Sequence, residues 1–245
     1  MLDQNTANRP VDPRHVKLLA DEMRSGRWKE NGETIKCGCG KLVDGQHRLL
    51  AVIESGVTIV VWLIENLSAD VFDTIDIGKR RSAADTLAVR GEKQCKSLAA
   101  ALTLLDQYAT GRMDRYVRYT NSEVMDLVDK YPEMRESVRI CRETNGLIPP
   151  RVLTACHYLF ARKNQSDADS FIEQLISGAA MVKGSSVYVL RSYLMTNSMR
   201  KAKVPGNYIM ALLIKAWNRR KDGNVSFIRY RTQGDSPESF PVVAD

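Results

Sequence analysis

The feature that most constrains the fold is an Asp-Gly pair that separates a strand pattern from a helical pattern without any linker. Leu42 and Val43 precede the pair, and apolar residues at helical spacing follow it from Leu49 onward. Gly45 can adopt backbone torsions, and allow a close approach, that a side chain would forbid. A helix that begins at Gln46 leaves its first N–H groups without intrahelical acceptors, pointing back at the turn. The stretch therefore predicts a strand-to-helix turn that can bind an anion.

The side chains around this turn suit a phosphate group. Gln46 can donate and accept hydrogen bonds, His47 titrates near neutrality, and Arg48 offers a planar fork of donors. Asp44 has a simpler role open to it, because a carboxylate at this position can cap the helix by accepting its N–H groups. A turn with a purely structural role is the alternative, since Asp-Gly and an exposed arginine occur at many such junctions.

The box Asp44-Gly45-Gln46-His47-Arg48, with Asn8-Arg9-Pro10 upstream of it, resembles the ParB/sulfiredoxin superfamily over roughly residues 8–90. Members carry Gly-x-His-Arg or Gly-x-Arg-Arg at this turn. The resemblance implies that the box binds the phosphates of a nucleotide, with CTP or ATP as the candidates and Mg²⁺ as a possible companion. Individual members are nucleotide-dependent DNA clamps, nucleases, small-molecule kinases or a sulfinic acid reductase.

The resemblance also implies which residues form the site. Phosphate or nucleotide binding falls to Gly45, Gln46, His47, Arg48, Arg9, Arg80, Arg81 and Ser82. The last three match a second polar and basic box, although Asp-x-Gly-x-x-Arg-Ser departs from the Asn-Arg form of the nucleotide-binding clamps. These cations could instead simply solvate a loop. For a reaction at the bound phosphate, the candidate catalytic residues are Asp44, His47 and Glu33.

Other chemistry at the turn is less well supported. Cys37, Cys39 and His47 could supply three zinc ligands, but a structural zinc site needs four, usually with two residues between paired cysteines. No metal site is therefore predicted. A redox role for Cys39 is disfavoured, because the catalytic cysteine of the reductase lies inside the box, where this chain has Gln46. His157 lies on a helical pattern and is expected to be structural.

Length and composition indicate a protein with two domains. The chain has 245 residues and 44% hydrophobic content, which is enough for two small cores. No apolar run approaches the ~18 residues of a membrane span, and the first residues do not resemble a signal peptide. The five cysteines are unevenly spaced and do not form a disulfide pattern. A cytoplasmic protein without a membrane partner is expected, and a homodimer is the candidate oligomeric state.

The positive charge is concentrated in the second part of the chain. The net charge is +7, yet residues 1–95 hold 14 Lys and Arg against 14 Asp and Glu, while residues 96–245 hold 22 against 15. Within residues 191–231 there are ten basic residues and one acid, Asp222. Such an excess favours contact with a polyanion and predicts DNA as the partner. The residues predicted to contact nucleic acid are Arg200, Lys201, Lys203, Lys215, Arg219, Arg220 and Lys221.

The predicted fold class is α+β. A small ParB/sulfiredoxin-like α+β domain is expected over residues 1–92, a basic and mostly α-helical domain over 93–231, and a loose tail over 232–245. Within the first domain the patterns predict a helix over 12–26, a hairpin over 31–43, a helix over 46–56, a buried strand over 58–64 and a helix over 68–74. A closing strand is predicted over 225–231. In the second domain, Thr120 and Glu123 form a capping-box pattern that predicts the start of a helix, and Trp217 is predicted to be buried.

The leading functional hypothesis is a DNA-associated protein of the ParB-like type that binds a nucleotide or phosphate, with NTPase or nuclease activity as candidate reactions. Similar box variants resemble proteins of bacteriophages and mobile elements. One alternative is a phosphoryl-transfer enzyme, a kinase of small molecules or nucleic acid, that uses the same box. The other is a structural or regulatory DNA-binding module with a vestigial site. The sequence alone does not separate these three.

Overall fold

The computed structural model contains two compact units of an α+β protein that is mostly helical, as the sequence predicts. One unit covers Met1–Arg80 and the other Arg81–Asp245; they are called the N-unit and the C-unit below. In the part of the chain that the structure describes there are ten helices and one mixed sheet of three strands. The described residues are 2, 5, 8, 10–68, 75, 81–143, 146–199, 204–232 and 236–244.

The N-unit packs two helices together beside a small sheet. Its elements are α1 (Pro13–Arg24), β1 (Thr34–Gly38), β2 (Lys41–Asp44), α2 (Gln46–Ser55) and β3 (Trp62–Ile64). Asp12 caps α1 by accepting the N–H of Arg14 at 3.0 Å, and Pro13 fits the first helical position because it has no N–H to satisfy. The apolar face of α1, which includes Ala20 and Met23, packs against α2 around the buried Ala51.

The hairpin that the sequence predicts is confirmed, and it positions the turn before α2. β1 and β2 pair antiparallel, with Cys37 opposite Leu42, and the connecting residues Cys39 and Gly40 both have positive φ. Such left-handed torsions at both central residues suit a tight two-residue connection. The register also places Lys36 opposite Asp44, at the end of β2 where the chain enters the Asp-Gly turn.

The third strand differs from its prediction. β3 covers only three residues of the predicted run 58–64 and pairs parallel to β1 at the edge of the sheet. Its side chains are exposed rather than buried, with Trp62 at 59% and Leu63 at 44%. β-branched composition indicates a residue that fits a pleated surface and does not by itself show that the surface is covered. Of the helix predicted over 68–74, residues 69–74 lie outside the described residues.

The C-unit is built from helices with well-defined caps. Its helices are α3 (Ala83–Val89), α4 (Cys95–Ala109), α5 (Asn121–Lys130), α6 (Met134–Ile140), α7 (Pro150–Ala161), α8 (Gln165–Ser177), α9 (Ser186–Met199) and α10 (Gly206–Asn218). The capping box predicted at Thr120 and Glu123 opens α5, and Ser82 with Asp85 forms the same box at α3. Searching the described residues for a helix long and apolar enough to cross a bilayer finds none.

Two hydrophobic clusters hold the C-unit together. The larger one contains Phe160 stacked on Trp217, with ring centroids 4.5 Å apart, and Phe171 meeting both rings edge-on. Trp217 is fully buried, as predicted. The smaller cluster includes Leu87 of α3, which is also fully buried. Because α3 contributes to this core, the division of the chain falls after Arg80, not after residue 92 as the sequence suggested.

The predicted loose tail and the predicted closing strand are both wrong. Val243 is buried in the larger cluster and donates its N–H to the Tyr108 hydroxyl at 3.0 Å, while Trp217 Nε1 donates to the Ala244 carbonyl at 3.3 Å. The described part of the tail is therefore anchored, because Val243 and Phe240 pack on the larger cluster, although Val242 is 76% exposed. Residues 225–231, all of them described, form no strand. Val225 instead donates to the Gly184 carbonyl at 2.8 Å.

Candidate functional site

Gly45 is the residue that shapes the turn between β2 and α2. It is the N-cap of α2 and has φ 101° and ψ 11°, in the left-handed region. A Cβ at this position would overlap Ile35 Cδ1 and would come within 3.6 Å of Arg48 Nε. Both the torsion and the space therefore require glycine, as the sequence predicts. Gly45 is itself buried, and the space beside it is filled by Ile35.

Asp44 takes a different role from the helix cap considered above. The N-cap is Gly45, which has no side chain, and Asp44 remains the last residue of β2. Its Oδ2 accepts hydrogen bonds from Arg48 Nη2 at 2.9 Å and from Lys36 Nζ at 3.3 Å. The carboxylate is 13% exposed. The strand register places it between two cations, and this explains why it does not fold back onto the helix terminus.

Arg48 is held by two carboxylates. Besides the bond to Asp44, its Nη1 donates to Glu33 Oε2 at 2.5 Å. The Arg48 side chain is 12% exposed, whereas that of Glu33 is 62% exposed. The structure thus brings together three residues that the sequence assigned to the site, Asp44, Arg48 and Glu33. With Lys36 included, two cations balance two anions, so an incoming phosphate would have to replace a carboxylate, and the exposed Glu33 is the one that can move away.

The Gln46 and His47 side chains are engaged with the N-terminal segment. Gln46 is 4% exposed and its Oε1 accepts from Asn5 Nδ2 at 2.8 Å. His47 is 7% exposed and its Nε2 accepts the backbone N–H of Asp12 at 3.0 Å. This contact assigns the proton of a neutral ring to Nδ1. Asn8, from the upstream part of the resemblance, donates to the Leu42 carbonyl at 2.8 Å. Because both side chains are engaged, Gln46 and His47 can contribute to an anion site at the turn through their backbone N–H groups.

The second predicted box is only partly described. Arg9 and Arg80 lie outside the described residues. Ser82 is the N-cap of α3: its hydroxyl accepts the Asp85 N–H at 3.2 Å and donates to the Asp85 carboxylate at 2.7 Å. Arg81 is exposed, and its carbonyl accepts from Asn121 Nδ2 at 3.0 Å. Within the C-unit, Ser82 therefore has a structural role as a helix cap.

The cations predicted to contact DNA are partly occupied by structural contacts. Arg220 lies 3.9 Å from the centroid of the Trp217 ring and pairs with Asp167 at 3.4 Å. Arg219 pairs with Asp222 at 2.9 Å. Of the other predicted cations, Lys221 is exposed, and three lie outside the described residues: Arg200, Lys201 and Lys203.

Lys215 is likewise held within the protein. Its Nζ donates to the Arg229 carbonyl at 2.6 Å and pairs with the Glu238 carboxylate. Asp167 and Glu238, the acidic partners of Arg220 and Lys215, lie outside the basic stretch in the sequence. A count of charges within residues 191–231 therefore could not find them. The structure assigns Lys215, Arg219 and Arg220 first to stability of the C-unit.

The structure contains a series of hydrogen bonds from a serine through a histidine to an aspartate that the sequence did not predict. His157 Nδ1 lies 2.9 Å from Ser137 Oγ, and Nε2 lies 2.8 Å from Asp169 Oδ1. Burial would raise the pKa of Asp169, but hydrogen bonds from His157 and Gln165 lower it overall. A nucleophilic triad uses these residue types, but here Ser137 is 3% exposed and the accessible member is the aspartate. A substrate cannot reach the serine, so this series of hydrogen bonds connects α6, α7 and α8 structurally.

Metal and thiol chemistry find little support in the described part of the chain. No group of three or more His, Cys, Asp or Glu side chains there could hold a metal ion. Cys39 is exposed, whereas Cys141 and Cys156 are buried. Burial raises the pKa of the Cys141 thiol to about 12, so it stays protonated and unreactive near neutral pH.

Comparison of the chain with protein-family models, with curated proteins and with solved structures finds no match. The resemblance to the ParB/sulfiredoxin superfamily consequently stays a prediction that depends on the residues of the box. The geometry of Gly45, Asp44 and Arg48 stands independently of it.

Proposed function

We propose that the N-unit binds the phosphates of a nucleotide at the turn between β2 and α2, and that the C-unit contacts DNA. The protein would thus be a DNA-associated, nucleotide-binding protein of the ParB-like type. The observation that carries the proposal is the position of Arg48 in the first turn of α2, with its guanidinium fixed by the half-buried Asp44 and covered by the exposed Glu33.

Arg48 is prepared for an anion before the anion arrives. Asp44 holds Nη2 at 2.9 Å and is itself held by Lys36, so little side-chain freedom is lost on binding. The guanidinium presents a planar fork, which matches the oxygens of a phosphate. The positive end of the α2 dipole adds to the attraction.

The contacts favour binding over hydrolysis. His47 Nε2 already accepts the Asp12 N–H, so it could serve as a general base only after this hydrogen bond breaks. Asp44 Oδ2 likewise already accepts hydrogen bonds from Arg48 and Lys36. Mg²⁺ usually binds through one or two carboxylates together with substrate phosphates. If it takes part, we infer that it is delivered with the nucleotide.

The distribution of charge supports DNA contact through the C-unit. Residues 81–245 contain 25 Lys and Arg against 17 Asp and Glu, whereas residues 1–80 contain 11 against 12. Only the C-unit offers long-range attraction to a polyanion. Since Lys215, Arg219 and Arg220 make intramolecular contacts, the proposal depends on exposed cations such as Lys221 and Arg229.

Calorimetric titration of the full-length protein with CTP, ATP and pyrophosphate, in the presence of Mg²⁺, tests the nucleotide part. Binding of all three would indicate a phosphate site, and a preference for CTP would favour the clamp type. Absence of heat with every ligand, from a folded sample, would overturn the proposal. Fluorescence anisotropy on an unrelated duplex over a salt series tests the DNA part: the logarithm of the affinity should fall linearly with log salt, at a slope of about −0.9 for each phosphate contacted.

A further inference from the structure

A large groove in the C-unit has four aromatic rings among its lining residues. It lies between the end of α4, the start of α10 and the C-terminal segment, and has a volume of about 940 Å³. This is near the upper end of the roughly 300–1,000 Å³ that small-molecule sites span. Four aromatic side chains from distant parts of the sequence line it: Tyr108, Tyr208, Tyr230 and Phe240.

These four rings form one continuous series. The centroids of Tyr208 and Tyr230 are 5.9 Å apart, those of Tyr230 and Phe240 are 5.9 Å apart, and those of Phe240 and Tyr108 are 6.0 Å apart. The planes of neighbouring rings are inclined by 49–74°, so no pair within the series is stacked face to face. All four side chains are only partly buried. The series therefore offers ring surface on which a planar ligand can stack.

The charges around the groove decide between classes of planar ligand. Two carboxylates line it, Glu238 and Asp114. Glu238 pairs with Lys215 and, at 3.1 Å, with Arg231, and Asp114 pairs with Arg115 at 3.5 Å. Three cations thus offset two carboxylates. These cations do not line the groove, but they already pair both carboxylates, so a cationic ligand, which aromatic rings can also hold, gains little there. The side chains of Arg115 and Arg231, next in sequence to the lining residues Asp114 and Tyr230, are 65% and 52% exposed and can meet the phosphates of a neutral base's anionic backbone.

We propose that this groove binds unpaired bases of single-stranded DNA by stacking them on the tyrosine and phenylalanine rings. Every base has a π-face, so such stacking tolerates any sequence. The lining residues Thr232 and Ser239 are exposed and supply hydroxyl groups for hydrogen bonds to base edges. The inference rests on the DNA contact proposed above for the C-unit and specifies the form of DNA that this surface takes.

The test compares a fluorescein-labelled oligo(dT) with a labelled duplex in anisotropy titrations of the full-length protein. Tyr208→Leu and Tyr230→Leu each remove one stacking ring, and each should weaken oligo(dT) binding about tenfold. Duplex binding should change less than about twofold, because paired bases cannot enter the groove. Tyr116→Leu is the matched control: Tyr116 is 86% exposed and does not line the groove, so neither affinity should change.

The outcomes separate this inference from the proposed function. Duplex binding by every protein, with oligo(dT) binding insensitive to both groove variants, would overturn the groove proposal and leave the DNA contact standing. Binding to neither DNA would overturn both. A third variant, Ala109→Leu, tests the groove without removing an aromatic ring that packs on the core. Ala109 is an exposed residue of the groove wall, so the larger side chain obstructs the groove without removing a core contact. It should also weaken oligo(dT) binding; unchanged binding would count against the proposal.

A crosslinking experiment locates the bases directly. An oligonucleotide that carries 5-iodouracil couples on irradiation to aromatic side chains close to the base. Mass spectrometry of the wild-type protein should find the crosslink at Tyr208, Tyr230 or Phe240. Crosslinks confined to exposed aromatics elsewhere, such as Tyr116 or Phe227, would place the single strand on another surface and overturn the assignment.

Discussion

The guanidinium of Arg48 donates a hydrogen bond of 2.5 Å to the carboxylate of Glu33, whose side chain is 62% exposed. The residue best placed to bind a phosphate is therefore covered by an anion of the protein itself. Exposed ion pairs of this kind contribute roughly 0–1 kcal/mol. A phosphate can thus displace Glu33 at little cost, while Asp44 continues to hold the arginine.

This competition makes Glu33 a residue whose removal should strengthen binding. Glu33→Gln keeps the size of the side chain but removes the competing charge, so pyrophosphate should bind up to about fivefold more tightly. Calorimetry on the two proteins measures the ratio. Glu30→Gln, an exposed acid close by in the sequence, is the control and should leave the affinity unchanged. Weaker binding by Glu33→Gln would mean that the carboxylate takes part in binding the ligand.

Alanine substitutions at Gly45 and Gly56 distinguish two destabilising effects of an added methyl group, backbone strain and steric overlap. Both have positive φ, but a Cβ at Gly45 would overlap Ile35, whereas a Cβ at Gly56 meets no atom within 4 Å. Gly45→Ala should therefore lower the free energy of unfolding by about 2–5 kcal/mol, from strain and steric overlap together. Gly56→Ala should cost only the strain, about 1–3 kcal/mol. Urea unfolding followed by tryptophan fluorescence compares them, and equal losses would show that Ile35 moves aside freely.

Arg219 and Arg220 are adjacent but should differ in their effect on stability. Arg220 stacks on Trp217 and its side chain is 11% exposed, so Arg220→Ala should destabilise the C-unit by about 1–3 kcal/mol. The Arg219 side chain is 43% exposed in an ion pair with Asp222, and Arg219→Ala should cost less than about 1 kcal/mol. Thermal unfolding of the two variants measures the difference. A larger loss for Arg219→Ala would contradict the structural role given to Arg220.

The cysteines should differ in reactivity and in their dependence on pH. Near neutral pH, iodoacetamide should label the exposed Cys39 readily and Cys141 only after unfolding, because burial raises the Cys141 pKa from 9.0 to about 12. The folded state thus binds this proton more tightly than the unfolded state. The corresponding stability is complete below pH 9 and is lost as the pH rises towards 12. Mass spectrometry of labelled peptides measures the reactivity, and rapid labelling of Cys141 would show that the C-unit opens.

Local signals in the sequence predicted local structure well. The Asp-Gly turn, the hairpin before it, the capping box at Thr120 and the burial of Trp217 all depend on residues close in sequence or on one strong apolar side chain, and all are present. The tail was predicted wrongly because its contacts with Tyr108 and Trp217 join residues far apart in the chain. The strand over 58–64 was wrongly predicted to be buried, because its β-branched composition does not show whether another element covers it.

The residues of the candidate site could be chosen from the sequence, but the contacts between their side chains could not. The sequence identified Asp44, Gly45, Arg48 and Glu33, but an ion pair between Arg48 and Glu33 depends on the hairpin register and could not be derived from spacing. The same limit applied to the basic stretch, where Asp167 neutralises Arg220 from an earlier helix. Charge counts measure attraction over long distances, and they do not tell which cations are already paired.

The most direct test of the central claim is a titration with pyrophosphate followed by backbone amide resonances in two-dimensional ¹H–¹⁵N NMR. Phosphate binding at the β2–α2 turn predicts the largest, saturable shifts at the amides of Gly45, Gln46, His47 and Arg48, with the Arg48 side-chain Nε–H. Arg48→Ala should reduce the affinity about tenfold or more, because a charge-assisted hydrogen bond is worth roughly 1.5–3 kcal/mol, whereas Arg14→Ala, an exposed arginine on α1, should not. Shifts that are absent from this turn, or that persist at equal affinity in Arg48→Ala, would contradict the account.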